Sequence, residues 1–394
     1  MEISRIFLNR DSLSASYVPR RLPHRDGQMK FLISLLGESV KHRSHLRSVQ
    51  LVGGVGTGKT ATAKRFGEVL RGTAEKWRNE LKVAYVNLRR QGSSRFLIFN
   101  SLVEQITPGI SVRGYAPEEV LNVIIKYLNS TGRFALIIVD EVDYHCKHRP
   151  REKIIYDLTR LDETSPNGYS NIIGVIFIAR NPGWIEMLDE AELSTLGRIQ
   201  VKFPPYSSSQ MRDILFERCR VAFKPGAVSN DVIDFIADVS CSPPINGDAR
   251  YALDLLLYAG TLAEQRGLDK VTAEHVRLVH SSLCPTISTE DIDSLPQSYL
   301  YVLLAVARAL RNAGNPYVHF KDIQSTYNII CEYRRIRPVR DLFEVLDDLA
   351  ARELITVKGF TKIGISGVTA EALLHYVDDV IRRVEEAIGD LKNK

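Results

Sequence analysis

The sequence predicts an α/β fold: a parallel sheet carrying a phosphate-binding loop, then a helical segment, then a small unit of helices and a hairpin. Three observations lead there. Short apolar runs alternate with helical periods through the first two-thirds of the 394 residues. One run opens into GGVGTGKT at 53–60, which fits the spacing G-x-x-x-x-G-K-[ST] between a strand and a helix. Beyond Pro285, three helical patterns and a two-strand hairpin give the parts of a winged helix, a DNA-binding variant of the helix-turn-helix.

The elements follow in order. Strands are expected at 49–52, 83–86, 134–139 and 172–179, with a further one leading to Phe203, and a helix at 59–71. Continuous apolar runs, unlike alternating ones, mark strands covered on both faces. Pro204 and Pro205 break the chain, and helical periods then run from 208 to about 283. A Ser/Thr/Asp-rich stretch from Pro285 to Ser294 reads as a linker. Helices are expected at 297–312, 320–333 and 338–352, a hairpin of 354–357 with 362–365 around Gly359, and a last amphipathic helix at 369–388. The domains are therefore 1–204, 205–284 and 285–394.

Composition sets the outer limits. Hydrophobic residues make up 44% and charged residues 25%, ordinary for a globular chain with a sizeable core. Five cysteines without a C-x-x-C pair fit a reducing compartment. The first residues have no apolar h-region, and the longest uncharged stretch, 164–179, is too short to span a bilayer. A cytoplasmic, nucleoid-associated location away from membranes is expected. The net charge is +5, but residues 285–394 hold 14 Lys+Arg against 16 Asp+Glu. Any nucleic-acid surface must be a local patch.

The phosphate loop defines the chemistry. Backbone N–H groups from Gly53, Gly54, Val55, Gly56, Thr57 and Gly58 onward can wrap an anion, aided by the following helix N-terminus. Lys59 supplies charge to the β- and γ-phosphates of ATP or ADP, and Thr60 a hydroxyl to Mg²⁺. FALIIVDE at 134–141 places Asp140 at a strand end as a second Mg²⁺ ligand and Glu141 where it can polarise a water. Asn181, after the 172–179 run, is either a γ-phosphate contact or the start of an Asn-Pro turn. Arg250 opens a helix, where a cation gains nothing from the helix dipole; it is either a phosphate partner or a solvated arginine.

Together these segments resemble the archaeal replication initiators related to eukaryotic origin-recognition subunits and the cell-division-control loader. These are AAA+ ATPases with a helical lid and a C-terminal winged helix, and the likeness runs from about residue 17 to 373. YVPRRLPHRDGQMKFL (17–32) resembles the segment lining the adenine pocket, which implies Tyr17, Val18 and Arg25 near the base. GGVGTGKT and VDEVD (139–143) match Walker A and B. RNP (180–182) falls at sensor 1, implying that role for Asn181, and GDARYALDLL (247–256) at sensor 2, implying Arg250. FPPYSSSQMRDIL (203–215) resembles the lid entry. The resemblance further implies a helical insertion at about 93–128 that touches DNA, with Arg113 and Tyr115 in its loop.

Two departures stand out. The family often has Asp-Pro-Arg upstream of Ser-Ser-Leu, whereas this chain has Asp189-Glu190-Ala191 before Ser194-Thr195-Leu196. The usual trans-acting arginine is thus an alanine; Arg198, the nearest arginine, is either a displaced finger or a solvated residue leading into the strand at 199–203. The wing, VKGFTKIG at 357–364, offers only Lys358 and Lys362.

The run YRRIRPVR at 333–340 puts Arg334, Arg335, Arg337 and Arg340 just before and at the start of a helix. That basic end either meets DNA, as recognition helices do, or is a solvated charge run. The leading functional expectation is an ATP-dependent initiator that binds duplex origin DNA, works with paralogous subunits and helps recruit the replicative helicase, with slow hydrolysis as a switch. The alternatives are an NTPase whose winged helix binds protein, and an origin-repressing paralogue. Ala191 speaks against a Holliday-junction or clamp-loader motor, which needs a trans arginine.

Overall fold

The structure is a computed structural model. It describes residues 4–41, 45–90, 94–165, 168–284, 287, 289–359 and 361–392, with side chains to 386. The chain folds as two compact units, one of residues 18–210 with 246–249, the other of 1–17, 211–245 and 250–394.

The first unit is built on a five-stranded parallel sheet. Its elements are α1 (Asp26–Leu36), β1 (Ser48–Val52), α2 (Lys59–Lys76), β2 (Leu81–Asn87), α3 (Arg95–Ile106), α4 (Pro117–Thr131), β3 (Phe134–Asp140), α5 (Val142–His148), α6 (Ile154–Thr159), β4 (Ile172–Ala179), α7 (Glu190–Leu196) and β5 (Gln200–Lys202). The strand order is β2-β3-β4-β1-β5. Every residue of β3 and β4 is buried, which is why both read as unbroken apolar runs. Alternation divides them between two cores. Ile137 and Val139 pack with Val175 and Phe177 against α3 and α4, while Leu136 and Ile138 pack with Ile176 and Ile178 against Phe66 and Leu70 of α2. The region expected to carry a helical insertion contains α3 and α4. Arg113 and Tyr115 lie exposed on the loop joining them, anchored by the buried Val112.

The second unit joins the lid helices to the winged helix. It contains α8 (Ser208–Ala222, which begins at the unit boundary), α9 (Asn230–Cys241), α10 (Ala249–Gln265), α11 (Ala273–Leu283), α12 (Thr289–Asp293), α13 (Gln297–Ala313), β6 (Tyr317–His319), α14 (Phe320–Arg334), α15 (Leu342–Ala351), β7 (Thr356–Lys358), β8 (Lys362–Gly364) and α16 (Ala370–Lys392). The hairpin of β7 and β8 gains a third strand the periodicity did not reveal, giving the order β6-β8-β7. β6 is three residues long, too short to show alternation. The presumed linker contains the short helix α12. Residues 4–17, expected with the nucleotide-binding base, lie in this unit. Phe7 bridges to Phe223 with ring centroids 4.8 Å apart, and Gly260 lets them in, since a Cβ there would sit 2.7 Å from the Phe7 ring. Among the described residues no helix is long and apolar enough to cross a membrane.

One buried cation ties lid to winged helix. Arg277 of α11 has no exposed surface. It donates to Ile365 O at 3.0 Å and Pro316 O at 2.7 Å and pairs with Glu274, whose other oxygen accepts from Ala370 N. Burial lowers the pKa of this guanidinium from its ordinary value. Arg277→Leu should strand two carbonyls and a carboxylate at once. We expect a loss of about 3 kcal/mol of unfolding free energy in urea titrations; a loss within error of zero would mean the contact carries no stability.

Candidate nucleotide site and nucleic-acid interface

The sheet topology assembles the site. β4 lies between β1 and β3, so the chain leaving β4 passes between the loop after β1 and the acidic end of β3. The strands end nearly flush: Val52 pairs with Ala179, and Asp140 with Ile178. This is the carboxyl edge of a parallel sheet, where ligands bind in such folds.

The loop at 53–58 is shaped for an anion. None of the N–H groups of Gly54, Val55, Gly56, Thr57 or Gly58 donates to a backbone carbonyl among the described residues. Gly56 and Gly58 have φ of +67° and +88°, values an L side chain resists. A Cβ on Gly56 would fall 1.7 Å from the Asp248 carboxylate, and one on Gly58 2.6 Å from the Tyr206 hydroxyl. The 18-residue helix α2 follows at once. Unsatisfied donors and a helix N-terminus converge, as a phosphate requires. Lys59 is buried, with Nζ donating to Gly53 O and Gly54 O at 2.6 Å each, so its charge lies along the loop.

Asp140 is 5% exposed and collects three donors: the Thr60 hydroxyl at 2.8 Å, the Tyr85 phenol at 2.8 Å and the Glu141 N–H at 2.9 Å. Thr60 and Asp140 thus present two adjacent hard oxygens, a donor set that fits Mg²⁺, which takes few protein ligands and keeps its waters. Burial, then the Asp140 charge, raises the Tyr85 phenol far above its usual range, so it stays a proton donor. Lys64 stands 4.1 Å over the Tyr85 ring.

Glu141 follows with φ +59°, a strained value for a glutamate. Its Oε1 accepts from Arg180 Nη2 at 3.1 Å. Its Oε2 is buried and receives no donor among the described residues. Asn181 is exposed and accepts from Gly183 N at 3.0 Å through its side-chain oxygen, so the Asn-Pro turn of the sequence is real.

Arg25 takes a different part from that expected. Its guanidinium is 2% exposed, donates to Thr57 O at 3.0 and 2.8 Å and to Pro204 O at 3.1 Å, and stacks 3.9 Å over the Tyr206 ring. It braces the phosphate loop from behind. Val18 belongs to the same unit. Tyr17 belongs to the other, its ring under the Arg218 guanidinium at 4.8 Å. Arg250 stands in the first turn of α10, in that second unit.

Sequence reasoning missed Tyr85, Arg180, Tyr206 and Asp248. Tyr85 looked like one more strand residue, and only its pairing beside β3 brings it to Asp140. Asp248 and Tyr206 adjoin motifs that were recognised, and that adjacency is the one signal the sequence carries for them.

Comparison with known proteins agrees with this geometry. Residues 42–188 match an AAA domain model, 212–281 a Cdc6 AAA+ ATPase-type lid domain and 290–376 a CDC6 C-terminal winged helix domain. An ORC1-type DNA replication protein of Pyrococcus furiosus is 31% identical over 385 residues, covering 96% of this chain and 90% of the relative. The chain belongs to the ORC1/Cdc6 family of DNA replication proteins. Among solved structures, Cdc6p from Pyrobaculum aerophilum aligns with a TM-score of 0.83 at 27% identity, over 96% of this chain and 99% of that one. The ORC1 protein of Aeropyrum pernix in complex with DNA aligns with a TM-score of 0.64, also at 27% identity, over 97% and 100%.

The winged helix of this ORC1/Cdc6-family chain distributes its charge differently from the sequence expectation. α15 begins at Leu342, not 338, and Asp341 caps it by accepting from Phe343 N and Glu344 N at 2.8 and 3.3 Å. A carboxylate already sits at the helix end where a phosphate would bind. Arg335, Arg337 and Arg340 are exposed on the segment before it, while Asp341, Glu344 and Asp347 are exposed on the helix and its cap. Two expected DNA contacts are engaged within the protein. Arg334 pairs with Asp378 and Glu385 of α16 at 2.7 and 2.8 Å. Lys358 pairs with Asp238 of α9 at 2.6 Å, beside the Tyr317 hydroxyl. Lys362 remains exposed on β8.

Tyr85→Phe should remove a donor from a buried carboxylate. The expected cost is about 1–3 kcal/mol of stability in urea unfolding; an unchanged midpoint would show that Asp140 does not depend on this bond.

Proposed function

We propose that the chain is an ATP-dependent initiator that binds duplex DNA at replication origins and helps recruit the replicative helicase, with nucleotide state acting as a slow switch. The observation that carries this reading is the match to ORC1-type DNA replication proteins over nearly the whole chain, with all three family models falling in order along it.

At the nucleotide site, the loop N–H groups and Lys59 bind the phosphates, and Thr60 and Asp140 hold Mg²⁺. When bound, the metal supplies charge that offsets the build-up on the phosphate oxygens. Glu141 orients and polarises the attacking water, and Asn181 offers its amide to the γ-phosphate or that water. Arg250 is assigned to the γ-phosphate as sensor 2, and Tyr17 and Val18 to the surroundings of the base. Hydrolysis is slow because Ala191 stands where the family commonly places the arginine that serves a neighbour's site. Ala191 instead lies in the first turn of α7, where Asp189 and Glu192 form a reciprocal capping box.

On DNA, Arg335, Arg337 and Arg340 contact one stretch of backbone, and Lys362 on the hairpin makes a further contact. Arg113 and Tyr115 make a separate contact. Paralogous subunits and the helicase are partners of the same reading. A second reading, in which the winged helix binds a protein, draws on the acidic exposed face of α15, which suits a basic partner better than a phosphate backbone.

Lys59→Ala should abolish ATP and ADP binding in calorimetry, since the Arg25 guanidinium, the other cation against the loop, is committed to the Thr57 and Pro204 carbonyls. Glu141→Gln should leave binding intact and remove single-turnover hydrolysis. Retention of both properties would refute the site. For DNA, reversing Arg337 and Arg340 to Glu should weaken origin binding and reduce the salt slope by about one unit per lost contact. Unchanged affinity and slope would favour the protein-binding reading.

A further inference from the structure

Arg180 is the last residue before Asn181 and leaves β4 between the phosphate loop and the end of β3. Its backbone N–H donates to Asp143 Oδ2 at 3.2 Å, and its guanidinium to Glu141 Oε1 at 3.1 Å. One residue thus links both acidic side chains that follow Asp140. The pairing with Glu141 is through a single oxygen. The second, Oε2, is buried and has no donor among the described residues. Glu141 is also held at φ +59°, so its backbone cannot relax into the ordinary strand continuation without losing this placement.

A carboxylate meant to take a proton from water must point one lone pair at that water and be kept from rotating away. Arg180 does the second and leaves the first open. We propose that Arg180 is the positioning residue for Glu141: it fixes Oε1 so that Oε2 faces the attacking water, a cation supplied by this chain to its own base. The proposal rests on Glu141 being the water-polarising base. It differs from a neutralising contact in that Arg180 is itself fixed, its backbone N–H donating to Asp143 while its guanidinium holds Glu141, so it sets direction as well as charge.

The test uses full-length protein and ATP. Arg180→Ala should slow single-turnover hydrolysis on the order of 10²-fold, the cost of a misplaced catalytic group. ATP affinity by calorimetry should stay within about twofold of wild type, since Arg180 acts on the base and not on the bound phosphate. Arg180→Lys, which keeps the charge on a shorter and less directed donor, should recover part of the rate. Glu141→Gln should be inactive, and adding Arg180→Ala to it should cost nothing more. A nucleotide-free crystal structure of Arg180→Ala should show the Glu141 carboxylate moved from its place. A wild-type or faster rate in Arg180→Ala, with Glu141→Gln inactive, would overturn the positioning role and leave the base assignment standing. Wild-type hydrolysis by Glu141→Gln would overturn both. A loss of ATP affinity in Arg180→Ala matching the loss of rate would make Arg180 a phosphate ligand and overturn the inference.

Discussion

The flush ending of parallel strands is the constraint on which the site depends. β1, β4 and β3 lie side by side, and backbone pairing sets Val52 beside Ala179 and Ile178 beside Asp140. The phosphate loop, the Arg180-Asn181 turn and the acidic pair therefore share one edge. This arrangement follows from ladder hydrogen bonds and from burial of both sheet faces; after one irregularity between Ala135 and Leu136, the β3–β4 register is even to the strand ends, where a one-residue shift would exchange the two cores. Leu136 and Ile138 face α2 while Ile137 and Val139 face α3 and α4, so both faces carry apolar residues committed to different partners.

On that frame, polar groups are placed by burial and pairing. Asp140 is almost wholly buried, yet it receives three donors, two from other elements. Arg25 is as deeply buried and spends its donors on carbonyls of the phosphate loop. Buried charges of this kind have to be satisfied, and satisfying them fixes the loop they touch. In the other unit Arg277 plays the same part, joining a lid helix to the carbonyls of Ile365 and Pro316. The Asp238 carboxylate gathers the Tyr317 hydroxyl and Lys358 nearby, so the wing is tied to the lid by charge as well.

The winged helix shows how position changes the meaning of a charged residue. YRRIRPVR reads as one basic cluster, but the fold divides it. Arg334 ends α14 and is held by two carboxylates of α16, while Arg335, Arg337 and Arg340 stay in solvent. Asp341 then closes the helix end. The exposed basic surface is a short segment ahead of an acidic helix, a narrower patch than the linear charge pattern implied.

Much of this was legible in the residues alone. The phosphate loop is legible because its glycines, lysine and threonine must be adjacent in the chain to fold around one anion. The buried strands are legible because covering both faces forces continuous apolar runs, and Asp140 with Glu141 because a strand must end in them. What only the tertiary structure decided are contacts between residues far apart in sequence. Tyr85 meets Asp140 across a strand pair, Arg180 meets Glu141 across another, and Lys358 meets Asp238 over 120 positions. Local pattern records what a residue needs, burial or a phosphate or a cap. It does not record which distant group supplies it, because that pairing is set by sheet order and helix packing, in which every element takes part.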